Sequence, residues 1–326
     1  MARQIIKKLP RSFFRLCVLA LSLCGLLFIV ASVRVFRFYH LLSDQARPLE
    51  SPSLSRRAED SDSIQSLYLN LMKTVLTRYG LEDRHIPLIR PQSPLDKLTS
   101  PFLKRGPLPL FWRAAFDPST QETGKSWPSH AETMIGLTRL DHLQNCIEDV
   151  LRRNIPGDLI ETGAWRGGAC IFMRAVLKAQ GDIERIVWVA DSFEGLPKPK
   201  ANTEDAKLWE GGEMAVSLEE VRNNFAGYGL LDGQVRFLKG FFIDTLPRAP
   251  IGRLAILRVD CDLYDSVTQS LEYLYDKVSR GGYVIIDDYG ALPPARKAVD
   301  DYRRSHGIAE ELQPIDWSGY FWQKQK

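Results

Sequence analysis

An α/β fold built on a doubly wound, mostly parallel sheet is predicted by three observations. Downstream of Pro156-Gly157, strand-length apolar runs alternate with segments of helical period. A glycine-rich turn, Gly163 to Gly168, joins the first run to the helix that follows it. Acids stand at the downstream ends of several runs, and strand carboxyl ends are where open sheets of this kind bind ligands.

Taken in order, residues 1–42 form a basic leader and an anchor. Leu16 to Val33 is charge-free and follows Arg3, Lys7, Lys8, Arg11 and Arg15, which predicts an N-terminal transmembrane helix and a single-pass membrane protein. Ala31-Ser32 is a poor cleavage site, so an uncleaved anchor is preferred to a signal peptide. The basic flank places the N-terminus in the cytosol, whereas a cofactor made inside cells would favour a cytosolic body; the side of the body stays open. Residues 43–62 are polar, with Pro48 and Pro52, and read as a linker. Residues 63–130 begin with an amphipathic helix over Ile64 to Tyr79, its apolar positions being Leu67, Leu71, Val75 and Leu76. A proline-punctuated aromatic stretch follows, with Phe102, Phe111, Trp112, Phe116 and Trp127, suited to packing on the body or to a substrate-facing lid.

The body covers 131–326. A helix carrying Ile135, Leu140, Leu143, Ile147, Val150 and Leu151 ends before Pro156-Gly157. Strands fit Asp158 to Thr162, Ile186 to Ala190, Val235 to Leu238, Leu254 to Val259 and Gly282 to Ile286. Helices fit Cys170 to Ala179, Leu218 to Phe225, Ser266 to Val278 and Arg296 to His306. Tyr320-Phe-Trp322 reads as a last, antiparallel strand.

Composition is that of a globular protein, 44% hydrophobic and 25% charged. A net charge of +3, with basic residues partly concentrated in the leader, indicates no nucleic-acid partner. The five cysteines match no disulfide or zinc spacing and read as reduced.

Four acids, Asp260, Asp262, Asp287 and Asp288, close the apolar runs Leu254–Val259 and Tyr283–Ile286. Crowded carboxylates repel unless protons or a cation offset them, so they suggest a site for a hard divalent ion such as Mg²⁺; singly, each could instead cap a helix. Asp260 and Asp262 share one face of an extended segment by the period of two, whereas Asp287 and Asp288 must splay unless the strand has ended. Glu161-Thr-Gly-Ala-Trp-Arg-Gly-Gly168 is neither a G-x-G-x-x-G nor a P-loop sequence, and Glu161 at the strand end suits a positively charged group such as an amino-acid ammonium. Asp191, at the end of the second strand, stands where ribose hydroxyls are bound, which also suits NAD. Gly240, Phe241 and Phe242 supply a turn and flat rings for an adenine, or simply core. Adenosine and an amino acid beside a metal together point to S-adenosylmethionine.

These blocks resemble the macrocin O-methyltransferases from about Met134 to Trp322. The resemblance is carried by Gly157-Asp-Leu-Ile-Glu-Thr-Gly-Ala-Trp-Arg-Gly-Gly168, Trp188-Val-Ala-Asp-Ser-Phe-Glu-Gly-Leu-Pro197, Leu257-Arg-Val-Asp-Cys-Asp-Leu-Tyr-Asp-Ser266 and Gly281-Gly-Tyr-Val-Ile-Ile-Asp-Asp-Tyr289. It implies a Rossmann-like class I methyltransferase fold, S-adenosylmethionine and Mg²⁺ as cofactors, and a sugar or glycoside hydroxyl as acceptor. By the same likeness Glu161, Thr162, Gly163, Asp191, Ser192, Gly240 and Phe241 hold the cofactor, Asp260, Asp287 and Asp288 the metal, and Asp262 takes the proton. Cys261, Ala164 and Ala295 depart from the family pattern without removing a ligand. Two rival readings stand: an anchored metal-dependent glycosyltransferase using Asp260-Cys261-Asp262, and an inactive cofactor-binding module. Homo-oligomerisation is left open.

Overall fold

The computed structural model describes residues 63–81, 85–87, 117–128 and 130–325, all within one compact unit, Arg56–Lys326. In chain order they form α1 (Ile64–Thr77), β1 (His85–Pro87), α2 (Pro118–Glu122), β2 (Ser126–Pro128), α3 (Leu137–Arg152), β3 (Asp158–Thr162), α4 (Gly168–Ala179), β4 (Val187–Asp191) and α5 (Asp205–Leu208). Then come α6 (Leu218–Gly227), β5 (Val235–Lys239), α7 (Phe242–Thr245), β6 (Leu254–Val259), α8 (Tyr264–Leu274), β7 (Val278–Ile286), α9 (Pro293–Ser305), β8 (Gln313–Pro314) and β9 (Tyr320–Gln323).

β3 to β9 make one seven-stranded sheet in the order β5-β4-β3-β6-β7-β9-β8. The first five strands are parallel, β9 runs antiparallel to β7, and β8 antiparallel to β9. The chain winds outward from β3 through β4 to β5, then returns to lay β6 on the other side of β3. That reversal opens a crevice beyond the carboxyl ends of β3 and β6, the topological switch point of an open parallel sheet.

Alternation along the strands builds a core on each sheet face. Leu159, Val189 and Ile285 pack with residues of α1, α3, α4 and α6, whereas Ile160, Ala190, Val284 and Ile286 pack with α8 and α9. β6 is buried at every position, as expected of a central parallel strand covered on both faces.

The strands lie where the apolar runs predict, within a residue or so at most ends, and Tyr320-Phe-Trp322 is the antiparallel strand expected. β7 departs from expectation: it begins at Val278, not Gly282, and α8 stops at Leu274 before a short 3₁₀ turn. The Gly281-Gly282 pair signals a strand start in sequence, yet the strand runs through it, with a shift in register against β6.

The expected helix is present as α1, and of its expected apolar positions Leu76 is buried whereas Leu67 and Leu71 are not. Leu67 and Leu71 are 58% and 60% exposed, and the buried face is Leu69, Met72, Lys73, Leu76 and Thr77. Lys73 goes inward because its ammonium pairs with Asp141 at 2.6 Å and lies over the Phe172 ring. Beyond α1, Gln121 donates to the Thr77 carbonyl at 2.8 Å and Tyr79 to Glu122 at 2.8 Å, so this part of 63–130 packs on its neighbours. Phe102, Phe111, Trp112 and Phe116 lie outside the described residues.

The expected transmembrane helix, and the single-pass membrane localisation drawn from it, are corrected. No helix among the described residues is long and apolar enough to cross a membrane. Leu16 to Val33 and the linker after it lie outside the described residues.

Phe172, fully buried in α4, tests the packing of this layer. Phe172→Ala should lower unfolding free energy by about 3–5 kcal/mol in urea denaturation, and a loss below about 1 kcal/mol would contradict it.

Candidate active site

The carboxyl ends of β3, β4, β6 and β7 open into a cavity of about 1280 Å³. Its lining includes Glu161, Gly163, Asp191, Ser192, Phe241, Asp260, Asp262, Asp287 and Asp288. Of the expected cofactor residues, Thr162 and Gly240 are not in the lining, and Thr162 is wholly buried.

At the β3 end, Gly163 adopts φ +88°, and a Cβ there would lie 1.7 Å from the Asp260 carbonyl oxygen. Only glycine lets the end of β3 meet the end of β6 so closely. Asp191 staples the turn: one oxygen accepts from the Ala164 and Trp165 N–H groups at 2.8 and 3.1 Å, the other from Phe193 N–H at 2.7 Å. Burial nonetheless holds its carboxyl above the ordinary value. Glu161 is 2% exposed; burial pushes its carboxyl up to about 7, against the pull of Arg258. The Cys170 thiol donates to it at 2.9 Å.

The acids at the β6 end converge through a turn and not through the pleat. β6 ends at Val259, Asp262 takes φ 59°, and Leu263 N–H reaches back to the Cys261 carbonyl at 2.6 Å. Aspartate is among the residues that tolerate such a left-handed conformation. β7 likewise ends at Ile286, and Asp287 and Asp288 splay. Asp260, Asp262 and Asp288 each offer an oxygen, all within 4.8 Å of one another. Asp287 turns away: one of its oxygens accepts from Arg258 and the other from Arg139. The expected metal trio is therefore brought together at Asp260 and Asp288, with Asp262 beside them in place of Asp287.

Crowding shows in the acidities. Burial, then the charge of neighbouring acids, pushes Asp260 up to about 6, Asp262 up to about 7 and Asp288 well above the carboxylate range. Asp288 Oδ2 is buried with no hydrogen-bond partner, and in the Asp262–Asp288 pair the proton sits on Asp288, whose carboxyl is raised further, with Asp262 accepting from it. Oxygens so placed fit a hard divalent cation.

Sequence reasoning missed the two cations that hold this arrangement. Arg258, 2% exposed on β6, directs Nη1 to Glu161 and, at 2.7 Å, to Asp260, and Nη2 to Asp287. Arg139 from α3 joins Asp287 to Asp316, its Nε lying 3.1 Å from Asp316 Oδ2. A signal was present, since an arginine inside the apolar run Leu254–Val259 must find buried partners. Asp205 was also missed; it accepts from Tyr264 N–H at 3.2 and 3.3 Å and ties α5 to the start of α8. Nothing in its local sequence marks that contact.

Comparison with known proteins identifies relatives of the whole body. The macrocin O-methyltransferase (TylF) family matches residues 65–324. The chain is 49% identical over 267 residues, 80% of its length and 94% of the relative's, to 8-demethyl-8-(2,3-dimethoxy-alpha-L-rhamnosyl)-tetracenomycin-C 4'-O-methyltransferase of Streptomyces olivaceus. It is 46% identical over 274 residues to demethyldecarbamoylnovobiocin O-methyltransferase of Streptomyces niveus, covering 82% of this chain and 97% of the relative. Among solved structures, the O-methyltransferase NovP superimposes with a TM-score of 0.69 at 46% identity, over 80% of this chain and 100% of that one.

Raised acidities carry a stability consequence. A carboxyl that keeps its proton to about pH 7 when folded, but only to about pH 4 when unfolded, stabilises the fold at low pH and loses that contribution as pH rises through the folded value. Most of that loss falls between about pH 4 and 7, but its tail is read cleanly in a chelator as a fall in Tm from pH 6.5 to 8, above the range of about 4 to 6.5 over which His142, held down by burial, changes stability in the opposite sense. Asp262→Asn should flatten the slope, and a Tm that rises across the window would contradict the assignment.

Proposed function

The chain belongs to the macrocin O-methyltransferase family, and from that premise we propose that it carries the methyl group of S-adenosylmethionine to a sugar hydroxyl of a glycosylated small molecule, assisted by Mg²⁺. It is an O-methyltransferase by family. The observation that carries the finer reading is the convergence of Asp260, Asp262 and Asp288 at one edge of a cavity whose other edge holds Glu161, Gly163 and Asp191. Relatives named for action on a rhamnosyl tetracenomycin and on a novobiocin precursor support a glycosylated acceptor.

When bound, S-adenosylmethionine supplies an electrophilic methyl group and Mg²⁺ makes an acceptor hydroxyl more acidic. The remaining tasks belong to this chain. Glu161 offers its carboxylate to the cofactor's ammonium, Asp191 and Ser192 border the ribose, Phe241 flanks the adenine, and Gly163 allows close approach. Asp260 and Asp288 hold the cation. Asp287, committed to two guanidiniums, braces them. Asp262 takes the proton of the acceptor hydroxyl as its oxygen gains the methyl group and the methyl–sulfur bond breaks.

Family membership leaves the glycosyltransferase reading without support. The inactive-module reading would predict a lost acid, yet all four strand-end aspartates are present.

Two measurements test the roles. Asp262→Asn should lower kcat by about 10²–10⁴ while Mg²⁺ binding by titration calorimetry persists, and unchanged turnover would remove the base assignment. Chelation should abolish transfer to a glycosylated acceptor, Mg²⁺ should restore it for the wild type but not for Asp260→Asn, and turnover indifferent to chelator would rule out the cation.

A further inference from the structure

We propose that Arg258 is a positioning residue that couples the cofactor end of the cavity to the acid cluster. The inference rests on the cofactor and metal reading above.

Arg258 projects from the strand between the two halves of the site. Its guanidinium, sealed from solvent, reaches Glu161 on β3, Asp260 just past β6 and Asp287 just past β7. Nη1 is shared between Glu161 and Asp260, so the acid assigned to the cofactor and an acid assigned to the cation hang on one nitrogen. Among the described residues no other cation pairs with both. Arg139 touches Asp287 and Asp316 but not Glu161.

A guanidinium is a planar fork with fixed donor directions, so three carboxylates bound to it have fixed positions relative to one another. Methyl transfer requires the acceptor oxygen in line with the sulfur–carbon bond, and a misplacement of about 1 Å costs on the order of 10²-fold in rate. Arg258 sets that separation from the protein side. A lysine would keep the charge yet address one carboxylate at a time, leaving Glu161 with the weak Cys170 thiol donor and no fixed charged partner so deep in the protein.

S-adenosylhomocysteine is titrated by calorimetry into wild type, Arg258→Lys and Arg139→Lys, all in chelator, so that the readout is free of metal and turnover. Arg258→Lys should bind roughly tenfold more weakly, the size of one lost charge-assisted hydrogen bond, and Arg139→Lys should stay within about twofold of wild type. With Mg²⁺ and acceptor, Arg258→Lys should also need more Mg²⁺ for half-maximal rate and lose about 10²-fold in kcat with little change in acceptor KM. A merely structural arginine would lower Tm in both variants without separating their affinities. A folded Arg258→Lys with wild-type affinity overturns the proposal. Where Arg258→Lys does not fold, Asp287→Ala removes the acceptor of Nη2 and leaves the rest of the fork in place; it should weaken S-adenosylhomocysteine at least about threefold, and unchanged affinity overturns the proposal equally. A wild type that binds no S-adenosylhomocysteine would instead sink the cofactor reading itself.

Discussion

Buried charge that the protein alone does not balance is the constraint on which the rest of the structure turns. Glu161, Asp260, Asp262, Asp287, Asp288 and Asp316 gather at one end of the sheet, and the guanidiniums of Arg139 and Arg258 are the cations placed among them. Removing a charge from water costs several kcal/mol unless pairing and hydrogen bonds compensate. The two arginines satisfy Asp287 on both oxygens, which leaves Asp260, Asp262 and Asp288 facing one another across a few ångströms with raised acidities. Protons relieve that repulsion at low pH, and a divalent cation bound there would relieve it at neutral pH.

The fold delivers this arrangement through strand order. β6 lies beside β3 because the chain reverses direction across the sheet there, so acids distant in sequence end at one crevice. Fine placement is local. Gly163 lets two strand ends touch, the left-handed Asp262 folds the segment after β6 back toward β7, and splaying after Ile286 sends one aspartate to the arginines and the other to the cluster. Asp205 adds a tie from outside the sheet, joining α5 to the N-terminus of α8 immediately after the acid turn.

Much of this was legible in sequence, for identifiable reasons. Parallel strands covered on both faces read as apolar runs, so β3 and β6 were located to the residue, and the family blocks named acids and glycines that line one cavity. What failed was decided by partners distant in sequence. Leu67 and Leu71 look like a core stripe until Lys73 finds Asp141 and goes inward in their place. Period-two reasoning put Asp260 and Asp262 on one pleated face, whereas a tight turn brings them together. Asp287 looked interchangeable with Asp288, and its pairing with Arg258 from β6 and Arg139 from α3 separates them. The membrane helix was inferred from hydropathy alone, which no described helix supports.

The most direct test is a crystal structure grown with S-adenosylhomocysteine and Mn²⁺ in place of Mg²⁺, with anomalous scattering used to locate the metal. The expected peak lies at ligand distance, roughly 2.1–2.3 Å, from carboxylate oxygens of Asp260 and Asp288, beside Asp262 and with Asp287 still held by Arg139 and Arg258. A peak elsewhere, or one bound by Asp287 with its guanidiniums displaced, would contradict it.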